Sequence, residues 1–252
     1  MKILALDSSG LVASVAIAED DKLIAEYTVQ YKKTHSQTLL PMLDEVSKMI
    51  DLDIKTIDII AIAKGPGSFT GLRIGAATAK GLALAINKPI IGIPTIEGLA
   101  YQLYGAKQII CPIMDARRAQ VYTGLYQFKQ QQEGKSYLSR FDLEVIREQC
   151  TLQIEEIIED INQRNQEVIF TGDGIPVFRD TIAESIHVPY IFAPLHRNRQ
   201  SAAAIAALAF EYHKAGSITI ASEFHPEYLR MSQAERERKE KLSVHADSER
   251  NV

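Results

Sequence analysis

The apolar positions of this chain change period several times, and each change predicts an element. Lys2 to Leu6 is a short apolar run that stops at Asp7-Ser8-Ser9-Gly10, a turn composition. Ala13 to Ala18 and Leu23 to Val29 follow as two further strands, with Glu19-Asp20-Asp21 as the hairpin turn between them. From Ser36 the period becomes helical: Leu39, Leu43, Val46 and Ile50 share one face, widened by Met42 and Met49. Thr34 and Ser36 are candidate N-caps, and Pro41 is expected to bend the first turns. Ile57 to Ala63 is nearly continuous apolar, as in a strand buried on both faces. The loop Gly65-Pro66-Gly67-Ser68-Phe69-Thr70-Gly71 then leads into a helix over Gly71 to Ile86 and a second buried strand over Pro89 to Ile93. Three strands in a meander, followed by helix, strand, helix and strand, predict an α/β fold with helices packed on a mixed sheet.

The second half repeats that plan at low residue identity. Gln108 to Met114 is an apolar strand ending at Asp115, and Gln120 to Phe128 is the strand after it. A helix from about Leu152 to Gln163 precedes the strand Val168 to Phe170, which runs into Gly172-Asp173-Gly174. Asp115 lies 108 positions after Asp7, and Gly172 lies 107 after Gly65. Two landmarks sharing nearly one offset point to an internal duplication. Ser201 to Tyr212 reads as an alanine-rich helix capped by Ser201 or Asn198. Beyond Tyr228-Leu229-Arg230 the apolar residues run out, and AERERKEKLSVHADSERNV reads as a disordered or frayed charged tail. The expected organisation is a first lobe over 1–105 with the glycine loop, a second lobe over 106–230, and a tail over 231–252. The last helix of the second lobe, about 198–213, has the option of packing back on the first.

Composition narrows the class. The chain has 252 residues, 46% apolar and 24% charged, enough for one large core or two small ones. A net charge of −4 and a pI near 5.9 do not ask for a nucleic-acid-binding face. Cys111 and Cys150 stand apart without C-x-x-C spacing, which argues against a disulfide framework or a zinc site and fits a reducing compartment. The start MKILALDSSG lacks a signal-peptide layout, and no apolar run approaches the roughly 20 residues of a membrane span. A cytoplasmic protein with no membrane partner is expected.

The glycine loop fits neither common nucleotide motif. Three residues separate Gly67 from Gly71 where the dinucleotide fingerprint has two, and no Gly-Lys-Ser/Thr completes a P-loop. Ser68, Thr70, the N–H groups of a helix start and Arg73 remain as a looser phosphate cradle; the other reading is a tight turn whose glycines serve packing alone. Asp7-Ser8-Ser9 and Asp115-Ala116-Arg117 each put a carboxylate at the end of a first strand. Facing one another across a cleft they would hold Mg²⁺ with a nucleotide; taken singly, each caps a turn. No two of the six histidines are spaced i, i+4, and neither H-E-x-x-H nor G-x-S-x-G occurs, so a hydrolase has no constellation to stand on. Gly71, Gly75, Ala79 and Ala83 recur every four residues, a ridge without side-chain bulk that another helix could approach closely. With Arg73, Ala76 and the apolar face Leu39, Met42, Leu43 and Val46 of the preceding helix, the ridge is read as a partner-binding face. The alternative is that both helices simply cover the sheet. On the partner reading, a charge at Gly75 or Ala79 breaks the complex.

Four stretches together resemble a known family: Leu6-Asp7-Ser8-Ser9, Thr34-His35-Ser36-Gln37 leading to Leu40-Pro41-Met42, Lys64 to Gly75 with its GPGSFTGLRIG string, and Pro226-Glu227-Tyr228-Leu229-Arg230. They are similar to the TsaB family of the glycoprotease/Kae-like group, dimerisation subunits of the bacterial machinery that makes threonylcarbamoyladenosine in tRNA. The likeness spans most of the chain up to about Arg230 and implies the actin-like/Hsp70-like ATPase (RNase H-like) fold, two duplicated lobes each with a mixed sheet flanked by helices. Catalytic relatives carry a metal motif H-x-E-G-H; here the stretch is Thr95-Ile96-Glu97-Gly98-Leu99, with Thr95 and Leu99 in place of both histidines. The resemblance therefore implies no catalytic residues, no metal and no cofactor in this chain, which would be a required subunit of a tRNA threonylcarbamoyl transferase complex without being an enzyme on its own. It implies as partners a metal-bearing TsaD-like catalytic paralogue, a TsaE-like ATPase and, through the complex, tRNA, with ATP or ADP and the metal held by those subunits. Alone, the chain is expected to form a homodimer through the same surface. Asp7, Ser8, Ser9, Gly65, Pro66, Gly67, Ser68 and Thr70 become an inherited or interface phosphate loop. The competing reading is an active ATP-dependent phosphotransferase of the sugar- or acid-kinase type, using Asp7, Asp115 and the glycine loops.

Overall fold

The computed structural model describes residues 1–31, 33–130 and 141–230; the tail expected over 231–252 lies outside them. The first lobe opens with the meander β1 (Lys2–Asp7), β2 (Ala13–Glu19) and β3 (Lys22–Val29). It continues through α1 (His35–Met49), β4 (Ile59–Gly65), α2 (Phe69–Ile86), β5 (Ile90–Pro94) and α3 (Thr95–Tyr101). The second lobe follows the same plan: β6 (Ile109–Asp115), β7 (Gln120–Gln130), β8 (Phe141–Gln153), α4 (Ile154–Arg164), β9 (Val168–Thr171), α5 (Ile175–Ser185), β10 (Tyr190–Phe192) and α6 (Ala202–Lys214).

The duplication is plain in the topology. The first sheet has the order β3-β2-β1-β4-β5 and the second β8-β7-β6-β9-β10. In each, the first strand pairs antiparallel with its hairpin partner and parallel with the strand after the helix: β1 with β2 and β4, β6 with β7 and β9. This doubled mixed sheet is the actin-like ATPase architecture.

Each sheet is covered on two faces. One face of the first sheet packs on α1 and α2, through Leu39, Met42, Val46, Ala79 and Ala83 against Leu4, Leu6, Ile60 and Ile62. Its other face is covered by α6, whose alanines let the helix lie close to Ile3, Ala5, Ala61 and Ile93. The second sheet packs on α4 and α5 through Ile157, Ile161, Phe178 and Ile182, and on its other face receives α3 through Ile96, Leu99 and Ala100. The last helix of each half thus serves the sheet of the other. Ser14 and Glu26 fix the start of α6 to the first lobe: Ser201 Oγ donates to Glu26 Oε1 at 2.7 Å and the Ala202 N–H to Ser14 Oγ at 2.9 Å.

Several element expectations are corrected. β4 is shifted two residues toward the loop, and α2 starts at Phe69, with Ser68 as its cap accepting from the Gly71 N–H at 3.3 Å. The helix expected from Leu152 begins at Ile154, because Leu152 belongs to β8, a long strand absent from the expected elements. Ser201, not Asn198, caps α6. Thr34 takes the N-cap position of α1 without a side-chain bond to the helix, and α1 runs through Pro41 to Met49. Met49 is 76% exposed and widens no core face. Among the described residues no helix is long and apolar enough to cross a membrane.

Candidate functional site

A cleft of about 780 Å³ opens between the lobes. Its walls are the β1–β2 turn at Ser9 to Leu11, the start of α1 at Thr34 and His35, the glycine loop from Gly67 to Gly71, and the β6–β7 hairpin from Asp115 to Arg118. Asp173 and Arg230 complete it.

The two strand-end aspartates form the same turn in different surroundings. Asp7 is 2% exposed and lies behind Ser9, with its Oδ1 accepting from the Ser9 N–H at 2.9 Å and from Ser9 Oγ at 2.6 Å. Burial pushes its carboxyl up to about 6, against the pull of the two Ser9 bonds and of His35. Asp115 lines the cleft, its Oδ1 accepting from the Arg117 N–H at 2.7 Å and its Oδ2 facing Arg117 Nη1 at 3.1 Å. Asp173, on the second glycine turn, is also raised by burial; Gln200 Nε2 donates to its Oδ2 at 3.2 Å. His35 Nε2 meets the Gly10 carbonyl at 2.9 Å.

The glycine loop and the ridge behind it are filled by the chain's own backbone. The Ser68 N–H donates to the Ser9 carbonyl at 2.7 Å, and Ser8 Oγ to the Gly71 carbonyl at 2.9 Å. A methyl group at Gly67 would collide with the Ser9 carbonyl, at Gly71 with the Ser8 carbonyl, and at Gly75 with Ser8 Oγ. Ser8, Ser9, Gly65, Pro66 and Gly67 are buried, while Ser68 and Thr70 face outward.

The partner face expected from the sequence is therefore corrected. Leu39, Met42, Leu43, Val46, Gly71, Gly75, Ala76, Ala79 and Ala83 all point into the first lobe; of the residues named for an interface only Arg73 is exposed. The four-residue repeat of small side chains records the close approach of Ser8 and of the sheet, not of a second chain. A charge at Gly75 or Ala79 would accordingly unfold the lobe before it disturbed any partner. The outward faces carry other residues: Leu40 at 52% and Met49 at 76% exposure on α1, and Ala77, Gly81 and Leu84 on α2, Leu84 at 68%. Nothing lies within 4 Å of a methyl group placed at Gly81. The signal was present in the sequence as the complementary spacing Ala77, Gly81, Leu84, where a plain sheet cover would carry charges.

The stretch at the family's metal motif forms the start of α3. Thr95 and Leu99 are each 1% exposed; Thr95 Oγ1 accepts from the Gly65 N–H at 3.2 Å, and Leu99 belongs to the aromatic-rich core beneath the second sheet. An engaged hydroxyl and a leucine do not fit a site built on two imidazoles. Glu97 accepts from Tyr212 OH at 2.8 Å, and burial raises its carboxyl.

The late segment Pro226 to Arg230, singled out only as a resemblance, is a latch. The Glu227 N–H donates to the Lys64 carbonyl at 2.7 Å, and Gly65, at φ +121°, leaves room for the Glu227 carbonyl. Tyr228 stacks on Phe69 with ring centroids 4.5 Å apart and planes 3° from parallel. Arg230 Nη1 donates to the Ala116 carbonyl of the opposite lobe.

A family model described as "TsaD: tRNA N6-adenosine threonylcarbamoyltransferase" matches residues 22–243. The chain is 31% identical over 235 residues to the Bacillus subtilis tRNA threonylcarbamoyladenosine biosynthesis protein TsaB, covering 93% of this chain and 96% of that one. To the Escherichia coli TsaB it is 36% identical over 130 residues, about half of each chain. Among solved structures, YeaZ from Pseudomonas aeruginosa superposes with a TM-score of 0.72 at 25% identity, over 90% of this chain and 99% of that one. With the doubled sheet, the glycine loop on its serine turn and a match along nearly the whole length, the chain belongs to the TsaB family, and with it to the wider family that the threonylcarbamoyltransferase model describes.

Proposed function

We propose that this chain is the non-catalytic scaffold of a complex that adds a threonylcarbamoyl group to N6 of the adenosine beside the anticodon in tRNAs reading ANN codons. Its role is to bind and position a TsaD-like, metal-bearing paralogue, with a TsaE-like ATPase joining the pair; ATP or ADP and the metal belong to those subunits. One observation carries the reading: the outer face of α2 presents Ala77, Gly81 and Leu84, with Leu40 and Met49 exposed on the adjacent α1. Such a face stays exposed in the monomer and is covered on association, in a heterodimer or in a homodimer when the chain is alone. The names of the relatives and the loss of both imidazole positions at Thr95 and Leu99 support the division of labour.

Co-expression with the metal-bearing paralogue tests it. The wild-type chain should co-purify as a stable heterodimer, and Gly81→Glu should abolish capture while leaving the isolated chain folded, since that position has open space around it. Capture undiminished by Gly81→Glu and Leu84→Glu together would overturn the interface. Calorimetry with ATP and Mg²⁺ tests the rest: tight binding with turnover by the isolated chain would return it to the phosphotransferases.

A further inference from the structure

The mouth of the cleft gathers cations in a chain whose net charge is −4. Lys33, Arg117, Arg118 and Arg230 line it together with Phe69, and the Arg73 guanidinium stands 5.8 Å from the Phe69 ring centre and 5.9 Å from that of Tyr228. The acids on this face are already engaged: Asp115 holds Arg117, and Asp173 is buried against Gln200. Glu227, beside Tyr228, pairs with Lys64 at 3.3 Å. Arg118 is exposed and makes no hydrogen bond or ion pair among the described residues.

The hairpin that carries these arginines repeats at three successive residues a conformation that Asp20, Asp51, Asn87 and Asn165 enter only singly. Arg117, Arg118 and Ala119 stand in a row at φ of 66°, 58° and 59°, the left-handed region that non-glycine residues rarely enter. The Asp115 bond to the Arg117 N–H and the Arg230 bond to the Ala116 carbonyl fix this tip from both sides. In this conformation both Arg117 and Arg118 line the cleft, at a cost in backbone strain of the kind that gathers at functional sites. Phe69, which lines the same cleft, carries a flat platform: Tyr228, stacked on it, keeps 38% of its surface exposed.

We infer that this face binds a single-stranded segment of RNA, with a base stacked on the Tyr228 ring and consecutive phosphates met by Arg118, Arg117 and Arg230. An aromatic face beside several guanidiniums is the chemistry of single-strand recognition: stacking accepts any base, and the cations follow the backbone. A duplex hides its base faces, so it would use the arginines and leave the platform idle. A protein partner is favoured less: the groups that the hairpin and the latch present are charged and aromatic, and the exposed aliphatic residues of the cleft, Leu11 and Val177, belong to the β1–β2 turn and to α5. The inference rests on the proposed place of the chain in a tRNA-modifying complex, and it assigns that chain its own contact with the substrate.

The test uses the isolated full-length chain, fluorescence anisotropy and a labelled single-stranded RNA oligonucleotide, with the same sequence as a duplex and ATP as comparisons. Single-stranded RNA should bind more tightly than either. Arg118→Glu should weaken it about tenfold or more and flatten the salt dependence by about one unit of slope or more, with the thermal midpoint unchanged. Tyr228→Ala should weaken it at least fivefold, and Tyr228→Phe should restore it. Wild-type affinity and salt slope in both Arg118→Glu and Tyr228→Ala would overturn the inference, as would ATP binding as tightly as the oligonucleotide. So would an Arg118→Glu chain that keeps its RNA affinity but loses the metal-bearing paralogue, since the patch would then belong to a protein. Capture of the paralogue is measured separately by co-purification, so a failed RNA contact leaves the scaffold reading standing.

Discussion

In the first lobe, β1 ends at an aspartate shut away behind its own serine turn; in the second, β6 ends at an aspartate open to the cleft and clasped by Arg117. The hydrogen-bond geometry is nearly the same, Oδ1 accepting from the N–H two residues on at 2.9 Å and 2.7 Å. The consequences differ because burial, not the turn, sets the charge. Asp7 carries a proton into a pH range where a solvated aspartate has lost it, while Asp115 works as the anchor of a basic hairpin. The glycine turns repeat the lesson. Gly71 gives way to the Ser8 carbonyl of the first turn and Gly172, at φ +107°, to the Ile113 carbonyl of β6, so in both lobes a glycine lets backbone press on backbone. What distinguishes them is how much of the turn remains in reach of solvent.

The largest expected effects break the close approach itself. Gly71→Ala and Gly172→Ala should each cost about 4 kcal/mol or more in urea unfolding, because backbone must move in either lobe and Gly172 adds an unfavourable φ. Gly81→Ala, on the same helix as Gly71 but with open space around it, should instead gain up to about 1 kcal/mol. If Gly71→Ala proved as harmless as Gly81→Ala, the turn contact would not be what the ridge is for.

Next comes the exchange of helices. Ile205 of α6 is 1% exposed against the first sheet, and Ile205→Ala should cost about 3 kcal/mol. Circular dichroism and tyrosine fluorescence should still report one shared transition. Two separated transitions would show that the lobes unfold independently.

The smallest effects sharpen the contrast between the aspartates. The folded Asp7 carboxyl titrates at about 6 against an ordinary 3.8, so the folded state holds the proton more tightly. The destabilisation by the charged form is absent at pH 4, grows between about 4 and 6, and is complete above that. Asp7→Asn keeps an oxygen for the Ser9 bonds and should raise stability at pH 7.5 by up to about 3 kcal/mol, with almost no gain at pH 4. Asp115→Asn, whose partner Arg117 is largely exposed, should change stability by less than about 1 kcal/mol. Equal responses of the two variants in urea titrations at both pH values would dissolve the distinction.

Much of the frame was legible in the residues. β1 to β5 announce themselves through apolar runs, and the shared offset of Asp7/Asp115 and Gly65/Gly172 disclosed the doubling. β8 did not: it lies outermost in its sheet and pairs with β7 alone, and the alternation of Phe141, Leu143 and Val145 breaks at Ile146 and lapses over Arg147-Glu148-Gln149. α3 is short and buried nearly all round between the two sheets, which leaves no polar face to reveal a helical period. The candidate site was half legible. The small-residue ridge was visible as a pattern, but spacing alone does not say what approaches it, and the occupant proved to be a turn more than sixty residues earlier in the chain. The basic hairpin escaped notice because overall charge averages it away.

The position of α6 also governs how the protein can be made. The first sheet is complete once Pro94 has been synthesised, yet Ile3, Ala5, Ala61 and Ile93 stay bare on one face until Ala202–Lys214 emerges. At cellular rates of translation that interval lasts roughly 5–20 s. Through it the nascent chain carries an uncovered apolar sheet, the kind of surface that chaperones shield and that a ribosomal pause would prolong.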